Sequence, residues 1–116
     1  MAQEFLDEAT EAAKVLRILS HPERLMVLCQ LREGERNVSH LLQNSALSQS
    51  AFSQHLTVLR QAGLVATRKS SQSVFYRIDD PRVENLINAI QGAWCAEQGS
   101  VTQGGMSTQG VQTIAV

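Results

Sequence analysis

The sequence lacks the features that mark membrane proteins, secreted proteins and the common enzyme classes. No apolar run is long enough to cross a bilayer, so we expect no membrane partner. The N-terminal residues have neither the basic start nor the apolar stretch of a secretion signal, which predicts a cytoplasmic protein. A glycine-rich phosphate loop, a nucleophile elbow and an HExxH motif are all absent. We therefore predict no catalytic residues, no cofactor and no enzyme activity.

Acidic residues are missing from a long central stretch of the chain. Residues 36–78 carry five basic and no acidic side chains. Residues 1–35 carry four basic against seven acidic residues, and residues 79–116 carry one against four. A basic region between acidic ends is expected where one face of a protein meets phosphate. On charge alone, chance clustering of basic residues on a solvated face explains the pattern equally well.

Apolar residues recur at helical spacing in the first third of the chain. Phe5–Leu19 has an apolar residue every three or four positions, which predicts a helix with one apolar side. Pro22 fits the first turn of a second helix, since its missing N–H is not needed there. Ser20 and Glu23 have the spacing of a capping box, and Gly34 marks the end of this helix. The expected inner side of the second helix holds Leu25, Leu28, Cys29 and Leu31.

Two further helices are predicted before the pattern changes. Asn37 or Ser39 is expected to cap a short third helix that runs through Leu42. Ser48 caps a fourth helix, and Gly63 ends it. The predicted buried side of the fourth helix holds Ala51, Phe52, Leu56 and Leu59.

The apolar period then becomes alternating. Leu64–Ile78 alternates in two runs around a polar turn at residues 70–73, which predicts a two-stranded hairpin. A last helix opens at Pro81, with an apolar side made of Val83, Leu86, Ile87, Ile90, Ala93 and Trp94. The order α-α-α-α-β-β-α predicts a mainly α fold with a β-hairpin wing (α+β), that is, a winged helix-turn-helix. A core of this size also favours a homodimer.

The fourth helix has an outer side unlike that of an ordinary exposed helix. It carries hydroxyl and amide side chains without charge, whereas solvent-facing helices normally use Glu and Lys. Such groups cost little to desolvate and read base edges, glutamine being suited to adenine. The helix start and the wing are expected to contact phosphate or the minor groove. The predicted DNA-binding residues are Ser48, Gln49, Ser50, Ser53, Gln54, His55, Arg60, Arg68, Lys69 and Ser71.

Two segments resemble the ArsR/SmtB family of repressors. Residues 19–28, LSHPERLMVL, resemble the family segment L-[SA]-[DH]-P-x-R-L-x-I-L. Residues 47–65, LSQSAFSQHLTVLRQAGLV, resemble its recognition helix, LSQSTVSxHLxxLRxAGLV. The resemblance covers about residues 5–96. It implies a homodimer whose first and last helices pack across a two-fold axis, binding to an inverted-repeat operator in double-stranded DNA, and release by an inducer.

The metal sites found in this family are not expected here. Arsenic-sensing members carry a CxC pair in the third helix, where residues 37–40 have no thiol. Zinc-sensing members carry histidines and acids on the last helix, and this last helix has no histidine. His55 is interpreted as a DNA-contact or packing residue instead of a ligand. We predict no metal site.

Two cysteines match a different branch of the family. Cys29 falls in the second helix and Cys95 near the end of the last one, regions that lie side by side in the family fold. This matches the persulfide-sensing branch of BigR, SqrR, YgaV and HlyU. The resemblance implies that reactive sulfur converts the pair to a persulfide, disulfide or polysulfide bridge and releases DNA. On spacing alone, a small core residue is the better interpretation of Cys29.

Three other functions remain open at this stage. The chain fits a general redox repressor that answers peroxide, or a metal-responsive repressor with an unusual two-thiol site. A winged helix is also used as a protein-interaction module, although acids or large apolar groups are then expected on the recognition helix. Polysulfide and peroxide treatments in parallel separate the first alternative from sulfur sensing.

The end of the chain differs in composition from the rest. From Gln98 onward there is no charged and no aromatic residue. We predict that residues 1–97 form the winged-helix DNA-binding and dimerisation domain and that residues 98–116 form a flexible tail outside it.

Deleting residues 99–116 is expected to leave DNA affinity unchanged, because an uncharged segment has no group that neutralises phosphate. Fluorescence anisotropy titrations of promoter DNA with the full-length and the shortened protein check this expectation. A clear loss of affinity on truncation contradicts it.

Overall fold

A computed structural model describes residues 2–94 of the chain. Its helices and strands, in order, are α1 (Ala2–Leu19), α2 (Pro22–Leu31), β1 (Arg36–Asn37), α3 (Val38–Gln43), α4 (Gln49–Gln61), β2 (Val65–Ser70), β3 (Ser73–Ile78) and α5 (Pro81–Trp94). They group into two compact units that divide between Asp80 and Pro81. None of the helices in this part of the chain is long and apolar enough to cross a membrane. The predicted tail falls outside the described residues.

The start of α2 differs from the prediction in one respect. Pro22 occupies the first turn, as predicted, but the N-cap is His21, and no side chain caps the helix. The hydroxyl of Ser20 donates a hydrogen bond to the carbonyl of Arg17 at 3.0 Å. The predicted capping box is therefore wrong, because Ser20 lies one residue before the N-cap and closes the end of α1.

The caps of α3 and α4 follow the sequence closely. Asn37 Oδ1 accepts from the N–H of Ser39 at 2.6 Å, so Asn37 is the N-cap of α3. Ser48 Oγ accepts from the N–H of Ala51 at 3.1 Å at the start of α4. Gly63, at a φ of +80°, ends α4 in a Schellman motif, with Leu64 N–H donating to the carbonyl of Leu59.

The sheet has one strand more than predicted. Three antiparallel strands lie in the order β1-β3-β2, with Arg36 opposite Tyr76 and Val65 opposite Ile78. The first strand has only two residues, which is too short for an alternating pattern to reveal. The predicted hairpin of β2 and β3 is confirmed, and it closes through a two-residue turn. Ser71 occupies the first turn position at a φ of +60°.

The core of the first unit forms around α2, which packs against α1, α4 and β3. Leu28 and Leu31 of α2 are buried as predicted, whereas Leu25 and Cys29 are half-buried. Phe52, Leu56 and Leu59 of α4 are buried as predicted, whereas Ala51, predicted on the same side, is half-buried. The buried residues of the first unit are Leu19, Val27, Leu28, Leu31, Leu41, Phe52, Leu56, Leu59, Leu64, Val65 and Tyr76.

Apolar residues remain exposed on both terminal helices of the described chain. On α1, only Leu19 is buried, and the side chain of Phe5 is 74% exposed. On α5, Val83 and Ile87 are buried, but Trp94 is exposed. Large exposed apolar side chains of this kind are expected at interfaces with a partner.

We expect Leu28→Ala to lower the free energy of unfolding by about 3 kcal/mol, because its side chain is 0% exposed and leaves a cavity. Met26→Ala on the same helix removes a side chain that is 42% exposed, so its cost should stay below about 1 kcal/mol. Urea unfolding at one fixed protein concentration measures both. Equal losses in the two variants contradict the central position of α2.

Candidate nucleic-acid interface

The outer side of α4 is an open, uncharged surface. Gln49, Ser50, Ser53 and Gln54 are all exposed, and they follow one another at positions that share one side of a helix. The opposite side is held in the core by Phe52, Leu56 and Leu59. The sequence therefore placed this surface correctly. With two amides and two hydroxyls, it offers donors and acceptors without the cost of desolvating a charge.

The two ends of α4 carry the other predicted DNA-binding residues of this helix. Ser48 is exposed, and its Oγ accepts the capping hydrogen bond described above, which leaves the hydroxyl proton free to donate. Arg60 is exposed in the last turn. Both side chains are thus accessible to a phosphate backbone.

His55 lies differently from its neighbours on α4. It is half-buried, and its Nδ1 accepts a hydrogen bond from Arg24 Nε at 3.1 Å. Its ring packs against that of His21, with 4.1 Å between the centroids. Burial lowers the pKa of His55, and the charges of His21 and Arg24 lower it further. The structure gives His55 a packing role against α2, and the sequence did not single out Arg24 as its partner.

The wing exposes Arg68, Lys69 and Ser71, but Arg68 is held by an acid. Its Nε and Nη2 donate to the two carboxylate oxygens of Glu35 at 2.9 and 2.8 Å. Its guanidinium also lies over the ring of Phe75, 4.6 Å from the centroid. The hydrogen bonds from Arg68 hold the pKa of Glu35 below its usual value, and those to Glu35 raise the pKa of Arg68.

The sequence did not indicate Glu35 as the partner of Arg68. Glu35 lies just before the acid-free stretch, next to β1, and β3 separates it from the strand that carries Arg68. The sheet order β1-β3-β2 brings it across β3 to the wing. The sequence offered no signal for this pair, since β1 itself was not predicted. In the structure, three of the five basic side chains of residues 36–78 are paired with acids outside that stretch. Besides Arg68, Arg36 pairs with Glu33 at 3.4 Å and Arg77 with Asp79 at 3.7 Å.

Cys29 is half-buried on α2, the helix that packs against α4. Cys95, the second predicted sensing thiol, lies outside the described residues. Within residues 2–94, no group of three or more histidine, cysteine or acidic side chains is arranged to hold a metal ion.

Comparison with known proteins identifies the family of this chain. Residues 21–67 match the family described as "Bacterial regulatory protein, arsR family". The "Biofilm growth-associated repressor" of Xylella fastidiosa (strain 9a5c) is 42% identical over 90 residues, which cover 78% of this chain and 79% of that protein. The chain belongs to the ArsR family. As an ArsR-family protein, it is a DNA-binding transcriptional regulator and not an enzyme, as the sequence predicted.

Solved structures of this family confirm the fold. The "transcriptional repressor BigR from Xylella fastidiosa" superposes with a TM-score of 0.76 at 38% identity, covering 87% of this chain and all of that one (100%). "Reduced HlyU from Vibrio cholerae N16961" has a TM-score of 0.76 at 39% identity, covering 80% of this chain and 98% of that one. The winged helix and the ArsR/SmtB resemblance are both confirmed, and BigR and HlyU represent the branch that the cysteines pointed to. Regulators of the ArsR family bind double-stranded DNA and typically dimerise.

We expect Glu35→Gln to strengthen binding to DNA of any sequence, because it frees the charge of Arg68 for a phosphate. One added phosphate contact should steepen the plot of log affinity against log salt by about 0.9. Titrations of a random-sequence duplex at several salt concentrations measure this slope. Glu11→Gln removes the same charge from an exposed site on α1 and should leave the slope unchanged. Equal slopes for Glu35→Gln and the parent contradict a masked Arg68.

Proposed function

We propose that the chain is a homodimeric repressor that reads an inverted-repeat operator with α4, grips the DNA backbone with the wing, and leaves the operator when reactive sulfur modifies Cys29 and Cys95. The observation that carries the proposal is the open, uncharged face of α4, with Gln49, Ser50, Ser53 and Gln54 exposed together. Amide and hydroxyl side chains on an exposed helix are suited to the donors and acceptors of the major groove.

The groups around this face support a DNA duplex as the partner. Ser48 and Arg60 stand at the two ends of α4, within reach of phosphates that flank a groove. Lys69 and Ser71 lie near the tip of the wing, where a thin hairpin reaches the backbone or the minor groove. A protein-interaction module is disfavoured, because the α4 face has neither acids nor large apolar side chains.

The exposed apolar residues of the terminal helices support a homodimer. Phe5 and Leu16 lie on the predicted apolar stripe of α1, and Trp94 lies at the end of α5. A second copy of the chain buries such side chains on both partners at once, since a two-fold interface uses the same patch twice. Two copies also place two α4 helices on one duplex, which matches the symmetry of an inverted repeat.

The position of Cys29 supports control by a thiol. Its helix, α2, supplies the core contacts of α4, so a covalent change at Cys29 acts on the element that holds the recognition helix. In the first step, the Cys29 thiolate attacks the terminal sulfur of a persulfide donor, RSSH. A new S–S bond forms, the S–S bond of the donor breaks, and RS⁻ leaves.

In the second step, the Cys95 thiolate attacks the Sγ of the Cys29 persulfide, the S–S bond of that persulfide breaks, and HS⁻ leaves. The product is a disulfide between the two cysteines, and the donor has been reduced by two electrons. Such a bridge links α2 to the chain that follows α5. It changes the spacing of the two recognition helices and lowers operator affinity.

Two alternatives keep the fold and change the trigger. Peroxide oxidises the same thiols through a sulfenic acid, and a metal ion held by the two thiols makes a metal-responsive repressor. Neither requires a change in the α4 face. The inducer therefore has to be identified by treating the DNA complex with each reagent in turn.

A gel shift on promoter DNA with reduced protein, followed by anaerobic polysulfide, peroxide or Zn²⁺, tests the proposal. Polysulfide is expected to weaken binding of the parent by at least about tenfold, within the usual range of coupling between two sites. Cys29→Ser and Cys95→Ser should bind DNA like the reduced parent but stay bound under polysulfide. Mass spectrometry of the treated parent then defines the bridge.

Each contrary result has a definite meaning. Release by peroxide or Zn²⁺ alone replaces the sulfur inducer with the corresponding alternative. If polysulfide releases Cys29→Ser as readily as the parent, the thiols are core residues and the sensing part of the proposal is wrong. If reduced protein does not bind the promoter duplex, the repressor role itself is contradicted.

A further inference from the structure

Arg24 joins the recognition helix to the end of α1. Its Nη1 donates to the carbonyl of Ile18 at 2.9 Å, and its Nε donates to His55 Nδ1 at 3.1 Å. Both bonds are partly buried, and the Arg24–His55 bond joins side chains 31 positions apart in the chain. One guanidinium on α2 is therefore bonded to two different helices at once.

The same end of α2 also holds the turn that leads into α4. Glu23 Oε1 accepts from the hydroxyl of Ser45 at 2.8 Å, and Ser45 Oγ accepts from the N–H of Leu47 at 3.0 Å. The turn before α4 and the middle of α4 are thus both attached to adjacent residues of α2. Because a hydrogen bond prefers a short distance and a near-linear angle, these bonds add a directional constraint on α4 to the packing of its apolar side.

We propose that Arg24 and His55 are positioning residues for DNA recognition: their hydrogen bond fixes the rotation of α4 that presents its uncharged face, and acid breaks that bond and lowers operator selectivity. The inference rests on the proposed function only in that α4 is the helix that reads bases. Of the two roles that the sequence allowed for His55, a DNA contact or packing, it takes the packing role, and it needs no thiol.

The chemistry of the bond makes it dependent on pH. A neutral imidazole has one acceptor nitrogen, and Arg24 uses it, so the ring proton of His55 is on Nε2. Protonated His55 has two N–H donors and no acceptor, and Arg24 keeps its charge at any relevant pH. Protonation therefore removes the bond and sets two cations side by side.

The groups around His55 determine the direction in which its pKa shifts. The titratable and charged groups that face it are His21, before α2, and Arg24 and Glu23 on α2. Strand β2 also packs against α4, but its Arg68 is hydrogen-bonded to Glu35 and does not face His55. Burial, His21 and Arg24 lower the pKa of His55 and outweigh Glu23, so the bond is intact near neutral pH and is lost as pH falls below the ordinary histidine range.

The inference is tested by measuring DNA selectivity as the ratio of the affinities for two duplexes. The probes are a duplex that the parent enriches from a random-sequence library at about pH 7.5 and a shuffled duplex of the same composition. Fluorescence anisotropy gives the affinity for each at about pH 7.5 and at about pH 4.5, which lies below the ordinary histidine range. The ratio of the two affinities cancels the general gain in DNA affinity that acid causes by adding charge.

On acidification, the affinity ratio of the parent is expected to fall about tenfold, the usual effect of losing one hydrogen bond to a charged group. His55→Gln keeps an acceptor for Arg24 but does not titrate, so its ratio should stay high at both pH values. His55→Phe keeps the ring but not the acceptor, so its ratio should be about tenfold lower at both. Circular dichroism at each pH verifies that the variants are folded.

His40→Gln is the matched control, since His40 is exposed on α3 and takes no part in the bond between Arg24 and His55. His21→Gln removes the other imidazole of the pair and should keep the acid loss, which begins at a higher pH because one cause of the lowered His55 pKa is gone. If the acid loss persists in His55→Gln, or disappears in His21→Gln or His40→Gln, the inference is overturned and the proposed function stands. If the parent selects no duplex at any pH, base reading by α4 fails, and the proposed function fails with it.

Discussion

The first unit of this protein depends on the burial of α2. Leu28 has no exposed surface, and Val27 and Leu31 beside it are almost as fully enclosed, by α1, α4 and β3. Because the apolar side of α2 is shared among three elements, each of them is placed relative to the others through this one helix. The outer side of α4 is left free for solvent or DNA only because its inner side is held there.

The same helix carries most of the chemistry inferred above. Cys29 lies on it, and Arg24 and Glu23 bond to α4 and to the turn before α4. A displacement of α2 therefore acts on α4 directly, because the two helices are in contact. Family membership establishes a DNA-binding regulator. Under the function proposed above, these side chains of α2 are the link between a signal and base reading.

The positive charge that the protein presents near the wing is smaller than the count of basic residues indicates. The acid-free stretch supplies basic side chains near the wing, yet Glu35 holds Arg68 through two hydrogen bonds. This ion pair limits the positive charge that the wing presents, and the exposed α4 face carries no charge. A regulator gains from this balance, since it has to distinguish one operator from a large excess of other DNA.

Local sequence determined much of the first unit. The helical and alternating periods, Asn37 and Ser48 as caps, and Gly63 as a terminator fixed α3, α4 and the hairpin. The burial of Phe52 and the exposure of Gln49 followed from the spacing along one helix. These features were predictable because each depends on residues within one or two turns of one another.

The tertiary structure decided the rest. It added β1, placed Ser20 outside the cap of α2, turned His55 toward Arg24, and paired Arg68 with Glu35. The two side-chain pairs join residues 31 and 33 positions apart. No local pattern specifies such a contact, because its partners meet only after the hydrophobic core has fixed the relative position of whole helices and strands.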